Sequence, residues 1–122
     1  MLALLQNESV TVLLASVSVT EFARRLHSLD QSAPQIEIFV REMRALITEV
    51  IVIDEVIAEL AFELYRATPE RLPTMDSLIA AAASSHGAVL VHRDSHFNAI
   101  HHPLCCCRNT WASGFASATC VM

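Results

Sequence analysis

The sequence predicts an α/β domain with a mostly parallel sheet, and two observations carry that prediction. Three short runs, VTVLLAS at 10–16, VIVID at 50–54 and AVLV at 88–91, are almost wholly apolar and rich in β-branched residues, the pattern of strands buried on both faces. Between them apolar residues recur at three- and four-residue spacing, the period of helices lying on a sheet. The resulting order is strand, helix, helix, strand, helix, helix, strand. Right-handed crossovers lay such strands parallel between two helical layers, a three-layer α/β/α arrangement.

Each element has a local reason. After the first strand, Ser18, Val19, Thr20 and Glu21 fit a Ser-x-x-Glu capping box, which predicts a helix to about Leu29. Ser32 can cap a second helix with Pro34 in its first turn. There Ile36, Phe39, Val40, Met43, Leu46 and Ile47 form an apolar face expected to be buried, ending near Thr48. Asp54 can cap a third helix striped with Val56, Ile57, Leu60, Ala61 and Leu64. Two prolines in RATPERLPT break it. Thr74 is the expected cap of a fourth helix, in which Ala80–Ala83 allow close approach to the sheet and Gly87 ends the run. Asp94 can cap a short turn through His96 and Phe97. Beyond Ile100 the periodicity fades. Residues 1–100 read as the domain and 101–122 as an irregular tail, with Leu104–Cys107 as a candidate edge strand.

Composition narrows the function. The 122 residues suit one domain with a substantial core. Eight basic residues, all arginine, stand against thirteen acidic ones, a formal charge of -5, which disfavours a passive electrostatic binder of nucleic acid. The opening MLALLQNESVTVLLASVSV has no basic leader and is interrupted by Gln-Asn-Glu-Ser, so it suits neither a signal peptide nor a membrane span. Cys105, Cys106, Cys107 and Cys120 are confined to the tail. They lack the spacing of a disulfide framework, which points to a reducing, cytoplasmic setting. With His101 and His102 they also lack the separated ligand pairs of a structural zinc site.

Two segments, SVTEF at 18–22 and LPTMDSLIAAAASSHGAVLVHRDSHF at 72–97, resemble the PIN-domain family, most closely the VapC-type toxins. The resemblance covers about residues 10–100. It rests on an aspartate opening an alanine-rich helix, a glycine, an apolar strand, and then Arg-Asp. It implies a metal-dependent endoribonuclease that hydrolyses RNA phosphodiester bonds, the toxin of a toxin–antitoxin pair. It further implies that Glu21, Asp76 and Asp94 hold Mg²⁺, with Mn²⁺ as an alternative. Implied partners are RNA, a cognate antitoxin and a second copy in a homodimer. Arg93, His96 and Asn98 are candidates for RNA or water contacts, and Arg24 and Arg25 suit an ordinary solvated helix face.

Two departures accompany the resemblance. The family's opening strand, central in its sheet, carries the first catalytic aspartate, yet twenty residues precede Glu21 here and none is Asp. The expectation is therefore a chain shortened at its N-terminus that lacks the usual first strand. His92 also replaces the small hydroxyl residue that commonly precedes Arg-Asp. A second reading follows: a catalytically impaired PIN-like interaction protein that keeps its partner-binding surface.

Each candidate also has a purely structural explanation. The capping box accounts for Glu21, helix-dipole stabilisation for Asp76 and a turn cap for Asp94.

Overall fold

In the computed structural model, which describes residues 10–92, 100, 106–108 and 118–121, strand β1 (Val10–Ala15) passes without a loop into helix α1 (Ser16–Ser28). Helix α2 (Ala33–Ala45), strand β2 (Glu49–Ile51), helix α3 (Glu55–Ala67), helix α4 (Thr74–Ser85) and strand β3 (Val89–Val91) follow. Two further strands, β4 (Cys106–Arg108) and β5 (Ala118–Val121), complete the sheet. The three strands and four helices expected from the sequence are all present in the expected order.

The strand order is β2-β1-β5-β3-β4, and every described pairing is parallel. The parallel α/β architecture is thus as the sequence predicts. The segment expected to be an irregular tail differs, because it supplies two strands. β4 lies at the sheet edge and overlaps the expected Leu104–Cys107 strand. β5 is central: Val10 pairs with Ala118 and Leu13 with Val121 on one side, and Leu90 pairs with Val121 on the other. The position that the family resemblance assigns to a missing opening strand is filled by this late one. Four residues, ATCV, are too few to show a period. Their extended state comes from the two rows of backbone partners offered by β1 and β3.

Alternation along β1 buries both faces of the sheet. Leu13 and Ala15 join Ile51 and Leu90 in a core with Ile57, Ala61 and Leu64 of α3 and Ile79–Ala83 of α4. Val12 and Leu14, on the opposite face, are buried as well. Helix α4 is enclosed around most of its girth: Ser77, Ile79 and all four alanines are buried. A Cβ-only side chain lets the helix pack closely against both the sheet and α3, so larger residues there meet filled space.

The α1–α2 hairpin is held more loosely. Neither helix has a fully buried residue, so the apolar face of α2 is half-buried rather than buried as its spacing suggests. Helix α2 also stops short of Thr48, for a visible reason. The Thr48 N–H donates to the Val12 carbonyl at 2.8 Å and its Oγ1 accepts from the Val12 N–H at 3.2 Å, drawing the chain into the sheet. On α3, Val56 is 66% exposed, outside the buried stripe to which its spacing assigned it.

Caps fix the helix ends. Ser32 accepts from the Gln35 N–H at 3.4 Å, and Asp54 Oδ1 accepts from the Ile57 N–H at 2.9 Å, as expected from the sequence. Helix α4 closes in a Schellman turn. The Gly87 N–H donates to the Ser84 carbonyl, the Ala88 N–H donates to the Ala83 carbonyl, and Gly87 takes φ 58°. Helix α1 ends in the same way around Asp30, at φ 60°, with its N–H on the His27 carbonyl and the Gln31 N–H on the Leu26 carbonyl.

These two turns give opposite predictions. No atom lies within 4 Å of a Cβ built at Gly87, so the cost of Gly87→Ala is that of the left-handed backbone, about 1 kcal/mol, or about 4 °C in Tm. Asp30→Gly relieves the same backbone cost and raises stability by ~0.5 kcal/mol or more. In the core, Ala81→Leu adds carbons where none fit and costs about 1–3 kcal/mol. Thermal and urea unfolding of the three variants checks all three directions.

Candidate active site at the carboxyl edge of the sheet

Helix α1 begins where β1 ends, at the carboxyl edge, and Ser16 Oγ there accepts from the Ile53 N–H at 3.4 Å. Glu21 lies five residues into α1 and is partly buried. The capping box expected around it does not form. The N-cap position is Ala15, which makes no side-chain cap, and Ser18 and Glu21 are both interior to the helix. The structural explanation for Glu21 is therefore lost, because a residue in the second turn cannot satisfy the helix's first N–H groups.

Asp76 is the acidic residue of the first turn of α4 and is partly buried. Thr74, expected as the cap, is instead the first helical residue, and Pro73 occupies the cap position. Two backbone-anchored bonds hold this turn. The Ser77 N–H donates to the Pro73 carbonyl at 3.0 Å, and the Ser77 hydroxyl donates to the Thr74 carbonyl at 2.7 Å. A carboxylate here also meets the positive end of the helix dipole.

Topology sets the height of Asp76 against the sheet. Helix α4 turns through residues 86–88 straight into β3, so the two run antiparallel. From Asp76 to the end of α4 is about 14 Å at 1.5 Å per residue. From Ala88 to His92 is about 13 Å at 3.3 Å per residue. Asp76 therefore stands level with His92, just beyond the end of β3. Strands β1 and β3 are parallel, so their carboxyl ends share this edge. They are two inter-strand steps apart, about 10 Å, with β5 between.

The sequence marked position 92 only as a departure, and nothing in its composition signalled burial. His92 is 7% exposed and sits at the mouth of the edge toward which Asp76 is placed. Asp94, Arg93, His96 and Asn98 lie outside the described residues, as do His101, His102 and Cys105. Oxygen donors are the chemistry that Mg²⁺ selects, and of the three carboxylates that the resemblance implies, Glu21 and Asp76 lie among the described residues. Among the described residues no three His, Cys, Asp or Glu side chains gather closely enough to hold a metal ion. Glu21, Asp76 and His92 are thus not a ligand set by themselves.

A largely apolar cleft of about 390 Å³ opens between α3 and α4, lined in part by Phe62, Tyr65, Thr74 and Ser77, and so adjoins the first turn of α4. The wider recess of about 570 Å³ is on the open side of α2, against Ile36, Val40, Arg41 and Arg44. It is a feature of one helix surface. The carboxyl edge, with its acidic residues, is the chemically differentiated place.

The PIN domain model of protein families matches residues 2–103. The chain belongs to the PIN-domain family. No curated protein and no solved structure matches it significantly. The match takes in β1 to β3 and stops before β4 and β5, so the central strand of this PIN domain lies outside the part that the family model recognises. Family membership associates the chain with nuclease-like function. Among the described residues no helix is long and apolar enough to cross a membrane.

Because Glu21 makes no cap, Glu21→Gln should leave stability within about 0.5 kcal/mol of the parent, whereas loss of a capping-box partner costs ~1 kcal/mol. Chemical denaturation of the pair distinguishes the two values.

Proposed function

We propose that this PIN domain is a metal-dependent endoribonuclease that hydrolyses RNA phosphodiester bonds and serves as the toxin of a toxin–antitoxin pair. The observation that carries the reading is the position of Asp76. It opens a tightly packed alanine helix in a PIN domain and stands level with the end of β3, where the sequence continues into Arg93-Asp94. Glu21, whose local structural explanation has fallen away, begins from the same edge on the β1 side.

Glu21, Asp76 and Asp94 are the residues that would hold Mg²⁺, or Mn²⁺. When bound, the ion supplies the positive charge missing between clustered carboxylates and a phosphodiester, and lowers the pKa of a bound water. The chain's own contribution is placement. The enclosed helix α4 restricts Asp76, and α1 brings in Glu21 from the neighbouring half of the sheet. Arg93 suits a phosphate contact, and His96 and Asn98 suit phosphate or water. The overall charge of -5 agrees with a protein that meets RNA through a few arginines and cations rather than a basic surface. A cognate antitoxin that covers the edge, a homodimeric state and a cytoplasmic location complete the proposal, the last resting on the unspaced cysteines.

The test is cleavage of structured RNA by the purified chain with Mg²⁺ or Mn²⁺, and with EDTA. Metal-stimulated cleavage is expected, reduced about 100-fold or more in Asp76→Asn and Asp94→Asn, on the order of 3 kcal/mol of transition-state stabilisation. A cooperatively folded preparation with no metal-stimulated cleavage counts decisively against it.

A second reading has its own observation. The central strand β5 reads ATCV and contributes no carboxylate, the acid that the resemblance expects on the central strand. A PIN domain lacking that acid can persist as an interaction protein. Calorimetric Mn²⁺ titration separates the readings: saturable binding that Asp76→Asn abolishes excludes a vestigial edge.

A further inference from the structure

Helix α3 buries a narrow stripe and leaves most of its girth to solvent. Ile57, Ala61 and Leu64 face the core, and every other residue of the helix except the half-buried Leu60 is exposed. Among the exposed residues are Phe62 at 62% and Tyr65 at 50%. With Ala58 they fall at i, i+4 and i+7, one line along the helix beside the buried stripe. The apolar cleft against α4 follows this line, and Ala61 and Leu78 also face it. Two aromatic rings at the rim of an apolar cleft are anchors of the type that a partner helix fills.

The charge beside the cleft is one-sided. Glu55, Glu59 and Glu63 recur at i, i+4 and i+8 along the outer side of Ala58 and Phe62, and with them and Arg66 they enclose a second recess of about 490 Å³. None of the three carboxylates forms an ion pair among the described residues. Arg66, the basic residue of α3, sits instead over the Phe62 ring, 5.9 Å from its centroid. Like charges at this spacing destabilise a helix, so the isolated chain bears the repulsion without a counter-charge.

We propose that the α3–α4 face is the docking site of a cationic amphipathic helix of another protein, whose apolar side fills the cleft against Phe62, Tyr65 and Leu78 while its lysine or arginine residues meet Glu55, Glu59 and Glu63. One occupant of this chemistry relieves both unfavourable features. A purely basic partner leaves the rings in water, and a purely apolar one desolvates the carboxylates without pairing them. RNA and anionic lipid headgroups are repelled by the same glutamates. A second copy is a poorer occupant, because each chain carries a formal charge of -5 and the recess on α2 sets Glu37 beside Arg41 and Arg44. The inference rests on the surface of α3 and does not depend on the nuclease reading.

The probe is a fluorescein-labelled Leu/Lys amphipathic peptide of about 14 residues, four helical turns, titrated with the full-length chain and read by anisotropy. A Leu/Glu peptide of the same pattern is its counterpart. The expected result is saturable binding of the Leu/Lys peptide, tighter than the Leu/Glu peptide by about tenfold or more. That binding weakens about tenfold in Phe62→Gln, and again in the triple variant Glu55→Gln, Glu59→Gln, Glu63→Gln. All four positions are exposed, so both variants keep the parent's cooperative melt. A charge-matched triple variant at exposed positions on other elements, Glu37→Gln, Glu42→Gln, Glu49→Gln, leaves the affinity within about twofold. Equal loss in the two triple variants reduces the effect to overall charge and overturns the proposal. Equal affinity for the two peptides, or no saturation below about 100 µM, overturns it too. Light scattering tests the remaining occupant: a dimer that Phe62→Gln converts to a monomer assigns the face to a second copy and excludes the proposal.

Discussion

Two rows of backbone hydrogen bonds, one from β1 to β5 and one from β5 to β3, make a single sheet from what would otherwise be two pairs of strands. Remove the middle strand and both rows lose their partners in a region where Val12, Leu13, Leu14 and Leu90 exclude water. Side-chain packing cannot compensate, because an unmade bond at a buried backbone group costs more than a made one contributes. The relative placement of the two halves, and of the acidic residues at their carboxyl ends, follows from that strand.

The second constraint is the bulk of α4. Four successive alanines occupy the space between α3 and the sheet, and their near-complete burial fixes the helix along its axis as well as against the core. Leu64 and Leu72, fully buried, close the same core around the α3–α4 connection. A helix packed this closely holds its first turn at a set height. Asp76 is therefore positioned by the alanines that follow it. The looser α1–α2 hairpin, which buries no residue fully, leaves the Glu21 side with fewer restraints.

PIN-family membership and this geometry support each other in a limited way. The family match covers the helix and strand that place Asp76, and the carboxyl edge gathers the ends of parallel strands, the usual place for a site in an open α/β sheet. The strand at the centre of that edge comes from outside the matched region and carries no acid.

Much of the fold was legible in the sequence. The runs at 10–16 and 88–91 became β1 and β3 because continuous apolar residues are stabilised by burial, whereas the run at 50–54 gives β2 only Val50 and Ile51, and Val52 just beyond them is 72% exposed. Ser32, Asp54 and Gly87 punctuate helices through bonds and dihedrals that depend only on near neighbours. Asp76 was legible for the same reason, as part of a contiguous pattern. The Ser18–Glu21 box misled because a capping box is read locally, whereas the start of α1 is set by β1 running directly into it. Val56 misled because a stripe of helical period does not say how wide the covered face is. The burial of His92, the half-exposure of α2 and the central place of β5 were decided only in three dimensions. A four-residue strand carries no period of its own and takes its conformation from the hydrogen-bonding rows on either side, one built from residues 108 positions earlier in β1 and the other from residues 31 positions earlier in β3.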